Sequence, residues 1–381
     1  MPWVTVCRTK CALKGRENPA FSKMKILVIS LAGNGDTLFA TPLIHELRAS
    51  FPEARIDVLV MWPGAKGLLE GNPHLDGVCQ KNLITEGRVG GLKFLWGLRR
   101  RHYDVSINTY PQSRIAYRFI ARFIQARVRI SHQYDNASVL DRVLVNRLLP
   151  QDYQRHCIEN NLACLGCLGA RPVLPEHDYE LYLSPADVAW AQEFIATENL
   201  SGRRLLGLHV GSGGTKNLLL RRWPLEHYLE LLRRLESPWP DLAILLFGGP
   251  EEQAGHARLL AAAGGGRLRH PATRNLRQAA ALLRYCDAFL SVDTVFMHLA
   301  AAVKVPGQIV IETPTWNKPI QPYRNPFVLV KNPVVAGRNL EYYRYDGRGI
   351  RGTPQELARC MASVPVEEVY RAVEEALKRR S

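Results

Sequence analysis

The chain has 381 residues, with 50 Lys and Arg residues against 35 Asp and Glu residues, which gives a formal net charge of +15 at pH 7. Hydrophobic residues make up 46% and charged residues 22%, so the composition indicates a globular protein and excludes a disordered or fibrous one. The length predicts two domains. We expect no membrane span, because no apolar stretch approaches about 20 residues, and no secretory signal, because residues 1–23 are polar and basic.

The positive charge leaves two interpretations open. Solvated arginines explain it, or the chain has an anionic partner such as nucleic acid, an anionic membrane face or a phosphorylated substrate. Much of the excess lies in the first half, in residues 99–101 and 114–129. Of the eight cysteines, only Cys164 and Cys167 form a C-x-x-C pair, and no second pair stands at zinc-ribbon spacing. Scattered reduced thiols of a cytosolic enzyme are the favoured interpretation.

Residues 24–47 are the stretch around which the chain is organised. A short apolar run is followed by Gly33, Asn34 and Gly35, then by Asp36 and by apolar residues at helical spacing. This pattern is typical of a buried parallel strand, a tight turn and a helix, the first unit of an open α/β sheet. Ligands of such sheets bind outside the carboxyl ends of the strands, so we expect Asp36 at the working edge of its domain.

The later elements continue the alternation of strands and helices. Predicted strands cover residues 55–61, 103–108, 127–130, 205–210, 242–247, 288–291 and 308–311. Predicted helices cover residues 92–101, 115–126, 225–235, 251–263, 278–285, 293–302 and 365–379. Between the two series, Pro172, Pro175 and Pro185 punctuate an aperiodic segment, residues 170–185, which we interpret as the interdomain linker. The pattern predicts two α/β units that face each other across a cleft.

A dinucleotide-binding fingerprint is incomplete in the first unit. Gly33 and Gly35 are followed by Leu38 where the third glycine of G-x-G-x-x-G belongs, although Asp57 stands about 20 residues further on. A nucleotide-dependent oxidoreductase is therefore disfavoured. The chain also lacks an Asp-x-Asp sequence, which argues against a metal ion that clamps a diphosphate. We predict neither a metal site nor a cofactor.

Asp36 is the first candidate for chemistry. A carboxylate at the start of a helix is stabilised in its ionised form by the positive end of the helix, so it can act as a general base towards a hydroxyl group. The alternative is a structural cap, because Asp is a favoured N-cap residue. The sequence spacing leaves both roles open.

Residues 211–224 are the second candidate. Backbone N–H groups of the glycine-rich turn would cradle phosphate oxygens, and basic side chains would neutralise their charge. The residues concerned are Gly211, Ser212, Gly213, Lys216, Arg221 and Arg222. The stretch lacks the Gly-Lys-Ser/Thr ending of a Walker A loop. The alternative is a surface loop with solvated arginines.

The third candidate is the strand-to-helix junction predicted at residues 291–298. Asp293 and Thr294 precede a helix whose first N–H groups would bind an anion, and His298 follows one turn later on the side of Thr294. A helix cap and a packed core histidine are the alternative. Glu252, after a Gly-Gly-Pro turn, either accepts hydrogen bonds from ribose hydroxyls or is an ordinary first-turn glutamate.

Together and in this order, these motifs resemble glycosyltransferase family 9, the lipopolysaccharide heptosyltransferases and their relatives. The matching stretches, within residues 25–323, are the GD turn with TPLIHEL, GSGG…RRWPLEHY, FGGPEE, SVDTVFMHLAAA and ETPT…P. The resemblance implies the glycosyltransferase B fold, an α/β fold of two Rossmann-like domains that face each other across a cleft. We expect an extension at residues 1–23, an acceptor-binding domain at 24–172, a nucleotide-sugar-binding domain at 173–352 and a C-terminal helical segment at 353–381.

The resemblance also implies roles for single residues. Asp36 matches the family's proposed catalytic base, with Gly35 and Asn34 beside the acceptor. Arg221 stands where the family usually has Lys and would contact the donor diphosphate, while Glu252 would contact the ribose. The implied donor-binding set is Gly211, Ser212, Gly213, Lys216, Arg221, Glu252, Asp293, Thr294 and His298. Two stretches depart from the family pattern, a longer segment between residues 214 and 221 and a variant loop at residues 313–319.

The implied reaction is a metal-independent, inverting transfer of a heptose or a related sugar. The donor would be a nucleotide-sugar, in the first place ADP-heptose, and the acceptor a phosphorylated glycolipid of the lipopolysaccharide-core type. The basic N-terminal half suits an acceptor on the inner membrane face, so we expect a cytoplasmic enzyme with peripheral contact to that anionic face. Two alternatives stay open: a family-9-like transferase with another nucleotide-sugar, and a basic nucleic-acid-binding protein. The chain has no recognition motif for a specific nucleic acid.

Overall fold

The computed structural model describes residues 24–214, 217–263, 266–342 and 349–379, which form two parallel six-stranded sheets with flanking helices. The strands of the first sheet are β1 (Lys25–Ser30), β2 (Arg55–Val60), β3 (Gly77–Gln80), β4 (Val105–Asn108), β5 (Val128–Gln133) and β6 (Arg147–Pro150). Those of the second sheet are β7 (Arg204–His209), β8 (Leu242–Phe247), β9 (Leu268–Arg269), β10 (Ala288–Ser291), β11 (Gly307–Ile311) and β12 (Phe327–Val330).

The helices alternate with these strands. Those that precede β7 are α1 (Asn34–Leu38), α2 (Thr41–Ser50), α3 (Pro63–Leu69), α4 (Arg88–Arg99), α5 (Ile115–Ile124), α6 (Val139–Leu144), α7 (Cys157–Leu162) and α8 (Pro185–Thr197). Those that follow it are α9 (Leu225–Glu236), α10 (Gln253–Ala262), α11 (Leu276–Leu283), α12 (Val295–Ala302), α13 (Asn339–Tyr342), α14 (Pro354–Ala362) and α15 (Val366–Lys378). Short 3₁₀ turns cover Ala163–Leu168, Leu218–Arg221, Pro250–Glu252 and Lys318–Ile320.

Both sheets have the same topology. The strand orders are β3-β2-β1-β4-β5-β6 and β9-β8-β7-β10-β11-β12, so each unit starts in the middle of its sheet and builds first towards one edge and then towards the other. The direction of building reverses between β1 and β4 and between β7 and β10, where ligands of open α/β sheets bind. The prediction of two Rossmann-like α/β units is confirmed.

The strands are apolar because helices cover both faces of each sheet. β8 is buried along its whole length, as is typical of a central strand in a parallel sheet. Side chains of a strand alternate between the two faces. In β1, Ile26 and Val28 enter one core while Leu27 and Ile29 enter another. The first sheet is therefore fixed in register by packing on both sides.

The first predicted helix is divided into two. α1 ends at Leu38 and α2 begins at Thr41, whose Oγ1 donates a hydrogen bond to the carbonyl oxygen of Leu38 at 2.8 Å. The break has a local cause, because Pro42 lacks a backbone N–H and is suited to the first turn of a new helix. The short α1 is thus a separate element that carries Asp36 at the edge of the sheet.

The linker was predicted at residues 170–185; residues 170–184 contain no helix or strand and are docked on the first unit, whereas Pro185 begins α8. The buried carboxylate of Glu46 on α2 accepts hydrogen bonds from the backbone N–H groups of Val173 and Leu174 and pairs with Nε2 of His177 at 2.7 Å. At the other end of the chain, α15 packs on β10, β11 and β12 of the second sheet. The described chain therefore passes from one sheet to the other along residues 170–184.

Candidate functional site

A cavity of about 1130 Å³ lies between the two sheets. It is lined by the loops that follow β1, β2 and β4 on one side and β7, β8 and β10 on the other, at the positions where the sheet topology reverses. Ten predicted site residues line it: Asn34, Gly35, Asp36, Ser212, Gly213, Arg221, Glu252, Asp293, Thr294 and His298. Gly211 is absent from the lining, and Lys216 lies outside the described residues.

Asp36 is the third residue of α1 and is half-buried in the cavity wall. One oxygen of its carboxylate, Oδ2, accepts a hydrogen bond from the backbone N–H of Gly33 at 2.6 Å, so the residue does help to cap the helix. Burial raises the pKa of the nearby Tyr117 hydroxyl, and the charges of Arg114 and Asp36 act on it in opposite directions. The cap and the base are compatible roles, because the capping bond fixes the carboxylate at the cavity.

The two units are in contact where α1 faces α12. A Cβ atom on Gly35 would lie only 2.7 Å from Cδ2 of His298, so this position has no room for a larger residue without a shift. His298 is buried, and its Nδ1 lies 3.2 Å from the hydroxyl oxygen of Tyr179 in the docked linker. Burial, assisted by the charge of Arg221, lowers the pKa of His298 to about 3. The imidazole is therefore neutral and packs between the units.

A buried polar network forms the opposite wall. Nη1 of Arg221 donates to Oδ2 of Asp293 at 2.9 Å and to Oγ1 of Thr315 at 3.2 Å. Thr315 in turn donates to Asp293 at 2.9 Å, and its Oγ1 lies 2.8 Å from Oγ1 of Thr313. Nε of Arg221 is buried without a hydrogen-bond partner among the described residues. The network brings together segments about 70 to 90 residues apart and leaves unsatisfied donor capacity of the kind an anionic ligand requires.

A second charged pair lies beside this network. Nη2 of Arg222 donates to Oε1 of the buried Glu252 at 2.8 Å, and the backbone N–H of Gly249 donates to Oε2 at 2.9 Å. Burial raises the pKa of Glu252, although these two partners oppose the effect. A Cβ atom on Gly211 would lie 2.3 Å from Oε1 of Glu252, so Gly211 makes room for the glutamate rather than lining the cavity.

The start of α12 faces the cavity between the two charged pairs. Thr294 is the N-cap residue, but its side chain does not cap the helix and its Oγ1 lies 3.2 Å from Nδ1 of His209 instead. Thr294, Val295 and Phe296 line the cavity, and the backbone N–H groups at a helix N-terminus favour an anion. The arrangement therefore combines a carboxylate on one wall with an arginine and a helix N-terminus on the other.

Potential metal ligands lie elsewhere. Within the described ranges, ligand atoms of His45, His74 and Glu180 lie within 4.8 Å of one another, a set of two imidazoles and a carboxylate that suits Zn²⁺. These residues do not line the cavity. No disulfide joins the six described cysteines, and none of the described helices is long and apolar enough to cross a membrane.

The model of glycosyltransferase family 9 (heptosyltransferase) matches residues 92–342. The chain belongs to this family. It is 25% identical over 287 residues to lipopolysaccharide heptosyltransferase 3 of Escherichia coli strain K12, covering 72% of this chain and 78% of the relative. It is 28% identical over 310 residues to lipooligosaccharide heptosyltransferase 2 of Haemophilus ducreyi, covering 75% and 82%.

Solved structures agree with this family assignment at the level of the fold. The structure of Escherichia coli ADP-heptose lps heptosyltransferase II is similar with a TM-score of 0.67, at 20% identity, and the match covers 93% of this chain and 99% of that one. The predicted glycosyltransferase B fold is confirmed, and so is the prediction that the chain is a glycosyltransferase.

Several residues around the family-9 cleft were not identified as site residues from the sequence. Thr315 lies in the loop that departs from the family pattern. Nothing in the sequence indicates that its hydroxyl contacts Asp293, which is 22 residues away. His209 and Tyr179 were not identified because the sequence around them is that of an ordinary strand and of a linker, respectively. Arg222 was noted with Arg221, but only the fold separates their partners, Glu252 for one and Asp293 for the other.

Proposed function

We propose that this family-9 enzyme transfers a heptose from ADP-heptose to a glycolipid of the lipopolysaccharide-core type, with inversion at the anomeric carbon and without a metal ion. The observation that carries the proposal is that Asp36 and the Arg221–Asp293–Thr294 wall line one cavity. The names of the relatives support the sugar and the acceptor, and the name of one similar structure supports ADP-heptose as the donor.

Asp36 acts as the general base in this proposal. Its carboxylate takes the proton from an acceptor hydroxyl, the hydroxyl oxygen forms a bond to the anomeric carbon, and the bond from that carbon to the diphosphate breaks on the opposite face. The capping bond from Gly33 supports this role, because it fixes the carboxylate before the acceptor arrives. Asn34 and Gly35, in the same turn, would contact the acceptor.

The leaving diphosphate is stabilised by the opposite wall. Arg221 uses Nη1 for Asp293 and Thr315, and its buried Nε has no hydrogen-bond partner within the described part of the chain. An arginine held by two partners is preorganised for a phosphate oxygen, and the N–H groups of α12 after Thr294 add a second source of positive potential. Ser212, Gly213 and Lys216 would complete the phosphate contacts.

The nucleoside would lie on the side of Glu252. Both oxygens of this carboxylate already accept one hydrogen bond, but each carboxylate oxygen has capacity for a further donor such as a ribose hydroxyl. The acceptor would then bind on the unit of residues 24–172 and the donor on residues 173–352, with the segment 353–381 supporting the second sheet. The enzyme would work in the cytoplasm at the anionic inner membrane face, with no specific nucleic acid as a partner.

The test is a calorimetric titration with ADP, UDP and NAD, first with a chelator and then with Mg²⁺. We expect ADP to bind without metal, and we expect Arg221→Ala to weaken ADP binding at least about tenfold, as the loss of a charge-assisted contact implies. Arg284→Ala is the matched control, because Arg284 is exposed at the end of α11 and does not line the cavity.

Turnover with ADP-heptose then tests the reaction, with the anomeric configuration of the product read by NMR. Binding of NAD alone would contradict the proposal. Binding of UDP alone would keep a glycosyltransferase but replace the donor. A retained configuration in the product would contradict the single displacement by an Asp36-activated hydroxyl.

A further inference from the structure

The largest exposed apolar side chains of the first unit gather on three neighbouring helices. Val89 and Val143 are 84% and 60% exposed, and Trp96 is 51% exposed, although apolar groups of this size usually enter a core. We call this surface the α4–α6 face. Its exposed apolar members are Val89, Leu92, Trp96, Ile115, Phe119, Val139, Leu140 and Val143.

The face is continuous because α4 packs on α5 and α5 packs on α6. On α4, Val89, Leu92 and Trp96 are spaced by three and four residues, so they form one stripe. Between α4 and α5 a groove of about 420 Å³ is lined mainly by apolar side chains, among them Phe119 and Phe123. Exposed apolar residues of the second unit, such as Leu260 and Val334, lie singly on separate elements.

Positive charge surrounds this apolar face. Residues 88–147 contain 12 of the 50 basic residues and only 3 of the 35 acidic residues of the chain. One of the 12 basic residues, Arg118, and one of the three acids, Asp141, are buried together in an ion pair, so neither adds charge to the surface. The exposed basic side chains on these helices and at their ends are Arg88, Lys93, Arg100, Arg114, Arg122 and Arg142.

The α4–α6 face adjoins the acceptor wall of the cleft. Arg114 and Tyr117, at the start of α5, line the cavity, and the charge of Asp36 acts on the Tyr117 hydroxyl. Ile84, which is 60% exposed and precedes α4, lines the cavity as well. A molecule held at this face is therefore next to the entrance used by the acceptor.

We propose that the α4–α6 face docks on an anionic lipid bilayer. Apolar side chains that enter the boundary between headgroups and acyl chains, ringed by Lys and Arg, are the chemistry of peripheral membrane binding. A second copy of the chain fits less well, because a symmetric contact would bring two strongly positive faces together. This inference deepens the membrane contact of the proposed function by naming the surface that makes it, and it rests on that part of the proposed function; the donor site does not depend on it.

The test is vesicle co-sedimentation of the full chain with phosphatidylcholine alone and with phosphatidylcholine plus phosphatidylglycerol. We expect preferential binding to the anionic vesicles, and binding should fall as NaCl is raised because exposed charges are screened. The double substitution Arg122→Ser with Arg142→Ser should weaken binding about fivefold for each charge removed. The triple substitution Trp96→Ser, Phe119→Ser and Val139→Ser should weaken it about tenfold or more.

Leu260→Ser and Arg284→Ser on the second unit are the matched controls and should leave vesicle binding unchanged. Equal binding of wild type to both vesicles, or equal loss in the controls, would overturn the proposal. The proposal would also be overturned if the protein does not bind vesicles but forms a dimer that Trp96→Ser dissociates. The face would then be a self-association surface. ADP titration of the same variants separates the two proposals, since failure to bind ADP with intact vesicle binding rejects only the donor site.

Discussion

The two walls of the cleft are built in different ways. On the wall of the second sheet, Arg221, Asp293, Thr313 and Thr315 come from distant parts of the chain and hold one another through hydrogen bonds of 2.8 to 3.2 Å. On the wall of the first sheet, Asp36 is held by the backbone of Gly33, three residues away. One wall depends on the tertiary fold and the other on a local turn.

This difference matches the two tasks we propose for the walls. A diphosphate carries the same charge in every donor of its class, so a prearranged cluster of charged and polar groups serves it well. The base needs only one carboxylate at a defined position beside the acceptor, and a capped helical turn supplies that position. Substitutions on the two walls should therefore separate chemistry from donor binding.

The largest expected effect is that of Asp36→Asn. Loss of the general base should reduce kcat about 10³-fold, within the range of about 10² to 10⁴ that such groups contribute. ADP affinity should stay the same, because the amide oxygen can still accept the hydrogen bond from Gly33 and the opposite wall is untouched. Steady-state kinetics with calorimetric ADP titration measures both. Loss of ADP binding with little change in kcat would assign Asp36 to the donor instead.

Arg221→Ala should act on stability as well as on the donor. It leaves Asp293 buried without its cationic partner, which should lower the free energy of unfolding by about 3 kcal/mol. Arg222→Ala is the matched variant, because its partner Glu252 keeps the hydrogen bond from Gly249 and Arg222 is more exposed than Arg221. Urea unfolding compares the two. Equal losses of unfolding free energy in the two variants would mean that the Arg221–Asp293 pair contributes no more to stability than the Arg222–Glu252 pair.

Gly35→Ala tests the contact between the walls. The new methyl group would lie 2.7 Å from Cδ2 of His298, so the buried imidazole or one of the two helices must shift, and overpacking of this kind costs about 1 to 3 kcal/mol. Gly67→Ala is the control, because a Cβ atom on this α3 residue meets nothing within 4 Å and should stabilise the helix by about 1 kcal/mol. Thermal unfolding of both variants decides. An unchanged melting temperature in Gly35→Ala would show that the contact between α1 and α12 accommodates a methyl group without loss of stability.

Acid should weaken both halves through their buried histidines. Burial lowers the pKa of His132 in the first unit to about 4 and that of His209 in the second to about 3, below the ordinary value of 6.5. Their contribution to stability is therefore complete above about pH 6.5 and is lost as the pH falls towards these folded-state values. Each should cost about 1 kcal/mol between about pH 7.5 and pH 5.5.

Urea unfolding at these two pH values measures the effect. His132→Gln should make the loss of unfolding free energy between them smaller by about 1 kcal/mol, the contribution of one histidine. Nε2 of His132 lies 2.9 Å from the carbonyl oxygen of Asn160, a contact that a glutamine amide can replace. An unchanged pH dependence in this variant would mean that the pKa of His132 is the same in the folded and the unfolded protein.

The sequence predicted the central strands best. The strands at Leu242–Phe247 and Ala288–Ser291 were predicted with the bounds that the structure shows, because continuous apolar runs mark strands buried on both faces. The four edge strands, β3, β6, β9 and β12, were missed, since each has at most four residues and none is buried along its whole length. The division of the first helix at Phe39 and Ala40 was also missed, because the apolar period continues across it.

Within the site, the sequence predicted the position of those residues that belong to a local strand-turn-helix motif. Asp36 and Thr294 follow strands directly, so their position at the cleft could be predicted from strand-turn-helix patterns. The Arg221–Asp293 pair spans 72 positions, and the contact of Gly35 with His298 joins two separate units. Such contacts depend on how the sheets face each other, which periodicity does not describe. The assigned roles of these residues remain predictions for the experiments above.

The order of the two sheets along the chain bears on how the protein is made. All strands of the first sheet precede those of the second, so a growing chain that folds unit by unit completes the first sheet early. At that stage the ring of Phe39 lacks one of its neighbours, the imidazole of His298, whose centroid lies 4.7 Å away in the finished protein. When the second unit folds, it would thus cover an apolar surface that the first unit exposes while it folds alone.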